Sequence, residues 1–451
     1  MFNLDINILS WVLLGVQIVV IALVLLFVLK PLRIIRRLPI DYFVSTGLME
    51  TANDPLPVEE EAGEETEDSG EEEAGEDEPT EESEENPAAE IVEAEEPTME
   101  IEERYFPKVS VVVYSTVNEE MLTEFLKILC RQDYPDFEVI VVCDASLEVS
   151  GILSEKYEEL FKNVYVTFIP PGSHNLSRRK LALTIGIKAA KGEIVLTTVA
   201  NAIIPSDNWI SSMAAPFISD SLTEIALGYS RPDYSEIEGP GKVYKEFFEL
   251  LTDARWIGYA LMGKPYRGDG FNLAFLRETF FRCKGYSKTM HLHSGEDDLF
   301  VNDIADATNT AVCVSPESIL TTRWGGGAKR IFNLRRSQYD FTARWLPLGP
   351  FVRAGFASLS QWLVLLAGVA AALLSLPNLI PAIAATLLWL AFIIWETSIY
   401  RKAAEKLEAS ALSWQLPLFW LIKPINNLYF RASHRSSRFK NFTWQRHKTV
   451  K

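Results

Sequence analysis

The sequence predicts an α/β domain with a mostly parallel sheet, with transmembrane helices at both ends. Three observations predict it. From Pro107 onward, β-branched apolar runs alternate with helical stretches. These runs are continuously apolar, as strands covered on both faces are. Charge-poor segments of about 20 residues stand before and after the alternation, long enough to cross a bilayer.

The first such segment is Ile8 to Leu29, which as a helix is roughly 33 Å long and matches the hydrocarbon thickness. It is too long for a signal peptide, starts without a basic region and has no small-residue cleavage site. Lys30, Arg33, Arg36 and Arg37 follow at once. By the positive-inside rule they hold that end in the cytoplasm and leave a short N-terminus outside. After Pro107, Lys108 to Tyr114 reads as a strand, Asn118-Glu119 opens a helix to Cys130, and Phe137 to Cys143 is a second strand ending in Asp144. Val164 to Ile169 (strand), Ser177 to Ala190 (helix) and Gly192 to Thr198 (strand) continue the rhythm. In such sheets ligands bind where the carboxyl ends of the strands emerge. Thr116 to Glu119, Asp144 and Val199 to Asn201 stand at such ends.

Lys242 to Leu261 reads as a long aromatic-rich helix and Gly268 to Asn272 as a tight turn. Phe356 to Leu376 and Leu379 to Ile399 are two apolar stretches joined by a turn short enough only for a helical hairpin. Arg344, Arg353, Arg401 and Lys402 flank its outer ends and place them inside. Ala411 to Phe430, interrupted by Pro417 and Pro424 and followed by Arg431, Arg435, Arg438 and Lys440, is expected to lie in the membrane interface. A third C-terminal span, which would put that basic tail outside, is the alternative. The chain thus divides into a membrane helix and basic juxtamembrane segment (1–50), an acidic linker (51–106), the α/β domain (107–345), a transmembrane hairpin (346–400) and an interfacial helix with its tail (401–451).

The net charge of -18 comes from one place. Residues 51–103 hold 25 of the 61 acidic residues and no Lys or Arg, so the remainder, with 43 basic and 36 acidic residues, carries +7. Almost free of large apolar residues, the stretch cannot offset its ordering entropy and reads as a disordered, self-repelling tether with a reach of about 40 Å or more. A cation sink or partner-docking tail is the functional alternative. The four cysteines and five histidines show no metal-ligand spacing, which leaves reduced core thiols and exposed loop histidines as the default. No phosphate loop, nucleophile elbow or zinc pattern competes, and no nucleic-acid partner is expected.

The costliest stretch is Ser294-Gly-Glu-Asp-Asp-Leu-Phe300, where three consecutive carboxylates enter an apolar run. Carboxylates at a helix start are favoured by its dipole, while crowding raises the pKa of at least one, as a general base needs.

Val109-Ser-Val-Val-Val, Asn118-Glu119, Gln132 to Val139, Cys143-Asp144-Ala-Ser146, Lys180 to Glu193 and Gly295-Glu-Asp297, in that order, resemble the family 2 glycosyltransferases, especially their membrane-anchored bacterial branch. The resemblance covers about 107 to 345. It implies a GT-A (nucleotide-diphospho-sugar transferase) domain and an inverting transfer, of the hexosyltransferase type, from a nucleotide-sugar to a lipid-linked or polysaccharide acceptor. The active site would face the cytoplasm at the inner membrane of a multi-pass protein. It also implies that Asp144 bonds the nucleobase and that Thr116, Asn118, Glu119 and Lys180 line the donor site. Asp297 would be the base, with Glu296 the second choice; Arg178, Arg267, Asp269 and Asp298 fall on the phosphate and acceptor side. The family's metal-holding Asp-any-Asp is here Val199-Ala-Asn201, and Val199 has no ligand atom. A Mg or Mn ion is therefore expected by resemblance but left with only Asn201, or a stray Asp269. Arg178, Arg179, Lys180 or Arg267 are the cations that stand to neutralise phosphate in its place. Gln338 and Arg344-Trp345 lack the spacing of the family's acceptor-side signature. A catalytically silent relative serving as a scaffold in glycan assembly is the alternative.

Overall fold

The structure, a computed structural model, describes residues 2–38, 44–45, 105–116, 118–170, 176–234, 241–323, 328–376, 379–409 and 415–433. The expected acidic linker, the turn at Pro377-Asn378 and the basic tail after Ser433 lie outside the described residues. Helix α1 (Phe2–Leu23) runs on through a wider turn (Val24–Val28) into α2 (Lys30–Arg37), after which β1 (Val44–Ser45) is the next described element.

The α/β rhythm follows as β2 (Val109–Ser115), α3 (Glu119–Leu129), β3 (Phe137–Cys143), α4 (Leu147–Leu160), β4 (Val164–Phe168), α5 (Arg178–Ala189) and β5 (Ile194–Val199). Helices α3 and α4 start where a side chain replaces the missing backbone partner: Asn118 accepts from the Met121 N–H and Ser146 from the Val149 N–H. Strands β2 to β5 pair in parallel. Then come β6 (Ala202–Ile203), α6 (Trp209–Ser219), β7 (Ile225–Leu227), β8 (Ser230–Pro232), α7 (Lys242–Ala260), β9 (Leu273–Leu276), α8 (Arg277–Arg282), α9 (Asp298–Ile304), β10 (Thr310–Val312), β11 (Leu320–Thr322) and α10 (Ala328–Thr342).

The large sheet has the order β1-β10-β7-β9-β5-β2-β3-β4, with β9 and β1 antiparallel to their neighbours. The α/β class with a mostly parallel sheet, expected from the buried runs, is what the chain forms. Alternate residues of β2 and β3 feed two cores: Val112, Ile140 and Val142 pack with Leu183 and Ile187 of α5, and Val111, Val113, Val139 and Val141 with Leu122 and Leu126 of α3 and Trp209 of α6. Strands β6, β11 and β8 form a separate three-stranded sheet.

Helices α11 (Leu348–Leu374) and α12 (Ile380–Lys406) form the hairpin, and α13 (Leu416–Ser433) follows. Ile8–Val28, α11 and α12 are each long and apolar enough to cross a membrane. They belong together: the Gln17 amide nitrogen donates to the carbonyls of Val364 (3.4 Å) and Ala385 (3.1 Å), one on each hairpin helix. The juxtamembrane segment is not merely a basic strip. Leu29, Leu32 and Ile35 are buried, and Pro31 lies so close to α7 that a Cβ on Gly258 would stand 2.4 Å from its ring.

Candidate active site

The strand order places the cleft. Strand β2 has β3 on one side and β5 on the other, so the crossovers leaving β2 and β5 diverge and open a crevice at their carboxyl ends. Thr116, Asn118, Asp144 and Val199 to Asn201 lie at these ends, as the sequence indicates. Thr116, Asn118 and Glu119 are exposed, and Asp144 is half-buried.

The first turn of α5 organises the rest, because four successive residues reach four different places. The Ser177 N–H and hydroxyl donate to the carbonyls of Met290 (3.1 Å) and His293 (3.1 Å). Arg178 donates through Nε to Asp144 Oδ1 at 2.8 Å, with Nη2 on the same oxygen. Arg179 pairs with Glu296 (3.1 Å), donates to the Gly270 carbonyl (3.2 Å) and stacks 4.4 Å over the Phe271 ring. Lys180 is wholly buried, and its ammonium donates to the carbonyls of Thr289 (2.7 Å), Leu292 (3.2 Å) and Ser294 (2.9 Å). Burial pushes that ammonium down to about 8, with Glu296 opposing.

Several residues expected at the site therefore have other work. Lys180, expected on the donor, ties the 289–294 loop to α5. Arg178, expected on the phosphates, is paired with Asp144 at the end of β3. Arg267 is buried against Asp298 at 2.8 Å and donates to the Tyr339 carbonyl (3.1 Å) and the Thr342 hydroxyl (2.9 Å), so it is not free for phosphate. Asp269 spends its oxygens on its own turn, accepting from the Ser230 N–H (2.9 Å), the Ser230 hydroxyl and the Phe271 N–H (3.0 Å). Glu119 pairs with Lys156 on the outer surface. His291 and His293 are exposed, as expected of loop histidines.

The acidic triplet sits at the mouth of a cleft lined also by Arg179, Asp269, Phe271, Gln338 and Tyr339. Its loop needs glycine at 295, where φ is +98° and a Cβ would meet the Leu299 side chain at 2.7 Å. Two of the three carboxylates are claimed by arginines: Glu296 by Arg179, Asp298 by Arg267. Asp298 also accepts from the Thr342 hydroxyl at 2.6 Å. Burial pushes its carboxyl up, against the opposing pull of Arg267. The raised group is thus Asp298, with burial the larger cause and the neighbouring Asp297 a lesser one. Asp297 is half-buried, accepts the Asp298 N–H at 2.7 Å, and has no ion-pair partner among the described residues. Gly270 faces it so closely that a Cβ there would lie 3.1 Å from the Asp297 Cβ. Of the three carboxylates lining the cleft, Asp297 is therefore the one with no arginine paired to it among the described residues.

A divalent ion would need oxygen ligands at the end of β5. Val199 is buried in the strand, the Ala200 N–H donates to the Tyr114 carbonyl (3.3 Å), and the Asn201 amide donates to the Arg323 carbonyl, whose N–H returns to Asn201 O at 2.8 Å. No group of three or more His, Cys, Asp or Glu among the described residues could hold a metal. This donor set does not fit the ion. Gln338 lines the cleft, whereas Arg344 stacks on Phe341 and Trp345, away from its lining.

Residues 110–256 match the family model described as glycosyl transferase family 2. The poly(ribitol-phosphate) beta-N-acetylglucosaminyltransferase TarS of Staphylococcus aureus is 31% identical over 126 residues, which is 27% of this chain and 20% of the relative. The chain thus spans about a fifth of the length of the curated relatives it matches. Among solved structures, the mannosyltransferase PcManGT from Pyrobaculum calidifontis, in complex with GDP-Man and Mn2+, aligns at 20% identity with a TM-score of 0.41, covering 67% of this chain and 88% of that one. TarS 1-349 from S. aureus, in complex with UDP-GlcNAc, aligns at 19% identity with a TM-score of 0.37, covering 73% and 92%.

Proposed function

With residues 110–256 carrying a glycosyl transferase family 2 domain, we propose that this chain is an inverting glycosyltransferase. It moves a sugar from a nucleotide-sugar to a lipid-linked or polysaccharide acceptor at the cytoplasmic face of the inner membrane. The observation that carries the reading is Asp297, the one carboxylate of the triplet that faces the cleft with no arginine on it. The polymer acceptor in the name of the staphylococcal relative supports the acceptor class.

The acceptor hydroxyl bonds to Asp297 and gives it the proton as its oxygen attacks C1 of the sugar. The C1–O bond to the diphosphate breaks, its electron pair leaves on the nucleotide, and C1 inverts. Asp144 reads the base. A carboxylate offers about four acceptor sites, and the Tyr114 hydroxyl (2.9 Å) and two Arg178 N–H groups take three of them. One site remains for a base N–H, and its direction is set by the other three. Arg178 holds Asp144 and Arg179 holds Glu296, so the first turn of α5 fixes the base-reading and proton-accepting ends relative to each other. Charge building on the diphosphate calls for fixed cations where carboxylates would otherwise hold a metal. Arg323 is the cation at the end of β5: it is exposed and tied through its backbone to Asn201, and its guanidinium, 3.7 Å from Glu124, leaves that surface pair to meet the diphosphate.

The replacement of the metal pair by Val199 and Asn201 favours one second reading, a scaffold that binds nucleotide-sugar without turnover. Release of nucleotide from UDP- and GDP-sugars by the purified full chain, with Mn or with EDTA and with membrane lipid extract as acceptor, separates the two. Turnover that persists in EDTA supports the transferase. Binding without turnover across the panel supports the scaffold, and strongly EDTA-sensitive turnover contradicts the metal-free site.

A further inference from the structure

A second cavity lies between α2, α7, α11 and α13, apart from the acidic cleft. Arg255, Arg353, Lys423, Tyr259 and Trp420 line it together with the apolar Val28, Leu29, Leu32 and Ala357. No carboxylate of the described residues lines it. None of its three cations makes an ion pair among the described residues. Arg353 lies over the Tyr259 ring at 5.6 Å and Lys423 over the Trp420 ring at 4.6 Å. Glu396, which acts on Lys423 electrostatically, is bonded to Gln361 at 2.6 Å and stays beyond ion-pair distance. Trp420 is 3% exposed and Tyr259 5%, and the indole N–H of one and the hydroxyl of the other have no hydrogen-bond partner among the described residues.

Such an arrangement is expensive when empty. Of the three cations Lys423 is buried, Arg255 half-buried and Arg353 exposed, so the cost of an unpaired buried charge falls on Lys423, beside two buried donors left without an acceptor among the described residues. Burial and the neighbouring Arg255 push the Lys423 ammonium down to about 7. Three cations and two unpartnered donors around one space, with no acid among them, are the complement of a phosphate: an anion with several oxygens, each able to accept more than one bond. The place fits a lipid. Val28 ends one candidate span and Leu348 begins another, so two helix ends that meet a bilayer surface border the cavity from adjacent sides.

From this geometry we infer that the cavity binds the phosphate of a membrane lipid, with the first carbons of its chains against Val28, Leu29, Leu32 and Ala357. Its occupation supplies the anion that Arg255, Arg353 and Lys423 lack, and so joins α2, α7, α11 and α13 at the membrane surface. The inference does not depend on the transfer reaction, because its test reads binding alone.

Native mass spectrometry of the full chain, released from detergent micelles, tests it with phosphatidylglycerol, a polyprenyl phosphate, diacylglycerol and inorganic phosphate. Retention of the two phosphorylated lipids at least about tenfold above diacylglycerol is expected. The better retained of the two identifies the source as a bilayer lipid or a lipid-phosphate carrier. Lys423→Met with Arg353→Gln should abolish the preference. Equal retention of diacylglycerol, inorganic phosphate competing as well as the lipids, or an unchanged preference in a folded double variant would each overturn the inference. Should the double variant fail to fold, competition of an alkyl phosphate against the alcohol of equal chain length on the unmodified protein decides alone.

Discussion

At the scale of the residue, the site depends on which charges are already spent. Asp144, at the end of β3, could be picked out from the strand pattern and Asp297 from three adjacent carboxylates. The assignments of Arg178, Arg179 and Lys180 could not, since consecutive helical residues point about 100° apart and only tertiary contacts say where each arrives. A buried lysine held by three carbonyls carries no sequence signature beyond its position in the first turn of α5. Asp144→Ala removes the carboxylate proposed to read the base and frees Arg178, so calorimetry should show nucleotide affinity weakened about tenfold or more. Unchanged affinity would move the nucleoside pocket elsewhere. Lys180→Met orphans the carbonyls of Thr289, Leu292 and Ser294. It should cost about 3 kcal/mol in denaturant unfolding, and a neutral substitution would show that the loop finds other donors.

At the scale of the element, β2 to β5, α3, α5 and α7 were legible to within about two residues, whereas α4, α6 and α10 were not read, and α11 and α12 run past the apolar stretches at their outer ends, to Leu348 and Lys406. Phe137–Cys143 is the strand the sequence indicates, and α3 begins at its side-chain cap Asn118. The strands of two or three residues, β6 to β8, β10 and β11, were not, because so short a run has no period to read. The docking of α2 was written in Leu29, Leu32 and Ile35, an i, i+3, i+6 apolar face that the neighbouring basic residues obscured. Helices α7 and α10 are joined by buried charge: Arg335 stands 3.6 Å from both Glu249 and Asp253, and the Tyr339 hydroxyl donates to Asp253 at 2.8 Å. Burial pushes Glu249 up to about 7 and Asp253 up to about 6, with Arg335 opposing in both. The folded state therefore keeps protons that the unfolded chain has released. The contribution is full below the ordinary carboxylate range and is lost as pH rises through about 6 to 7. Unfolding titrations near pH 5 and near pH 8 should show stability falling between them, and Glu249→Gln should flatten the change. A pH-independent difference between the two proteins would mean that Arg335 keeps both carboxylates charged.

At the scale of the whole molecule, the sequence placed apolar helices at both ends, and in the structure α1 packs against both α11 and α12. We propose an arrangement with the α/β domain and both outer ends of the hairpin on one side. A reporter fused after Lys451 should read cytoplasmic and one inserted at Asn378 external; an external C-terminus would mean that α13 spans. Sheet, cleft and spans together serve one claim, that Asp297 is the base of a sugar transfer. The most direct measurement is transfer and nucleotide-sugar binding by Asp297→Asn, side by side with the unmodified chain. A base that acts in the transition state predicts turnover reduced by about a thousandfold or more with donor affinity within about twofold. Full turnover in Asp297→Asn, or binding and turnover lost together, would contradict it.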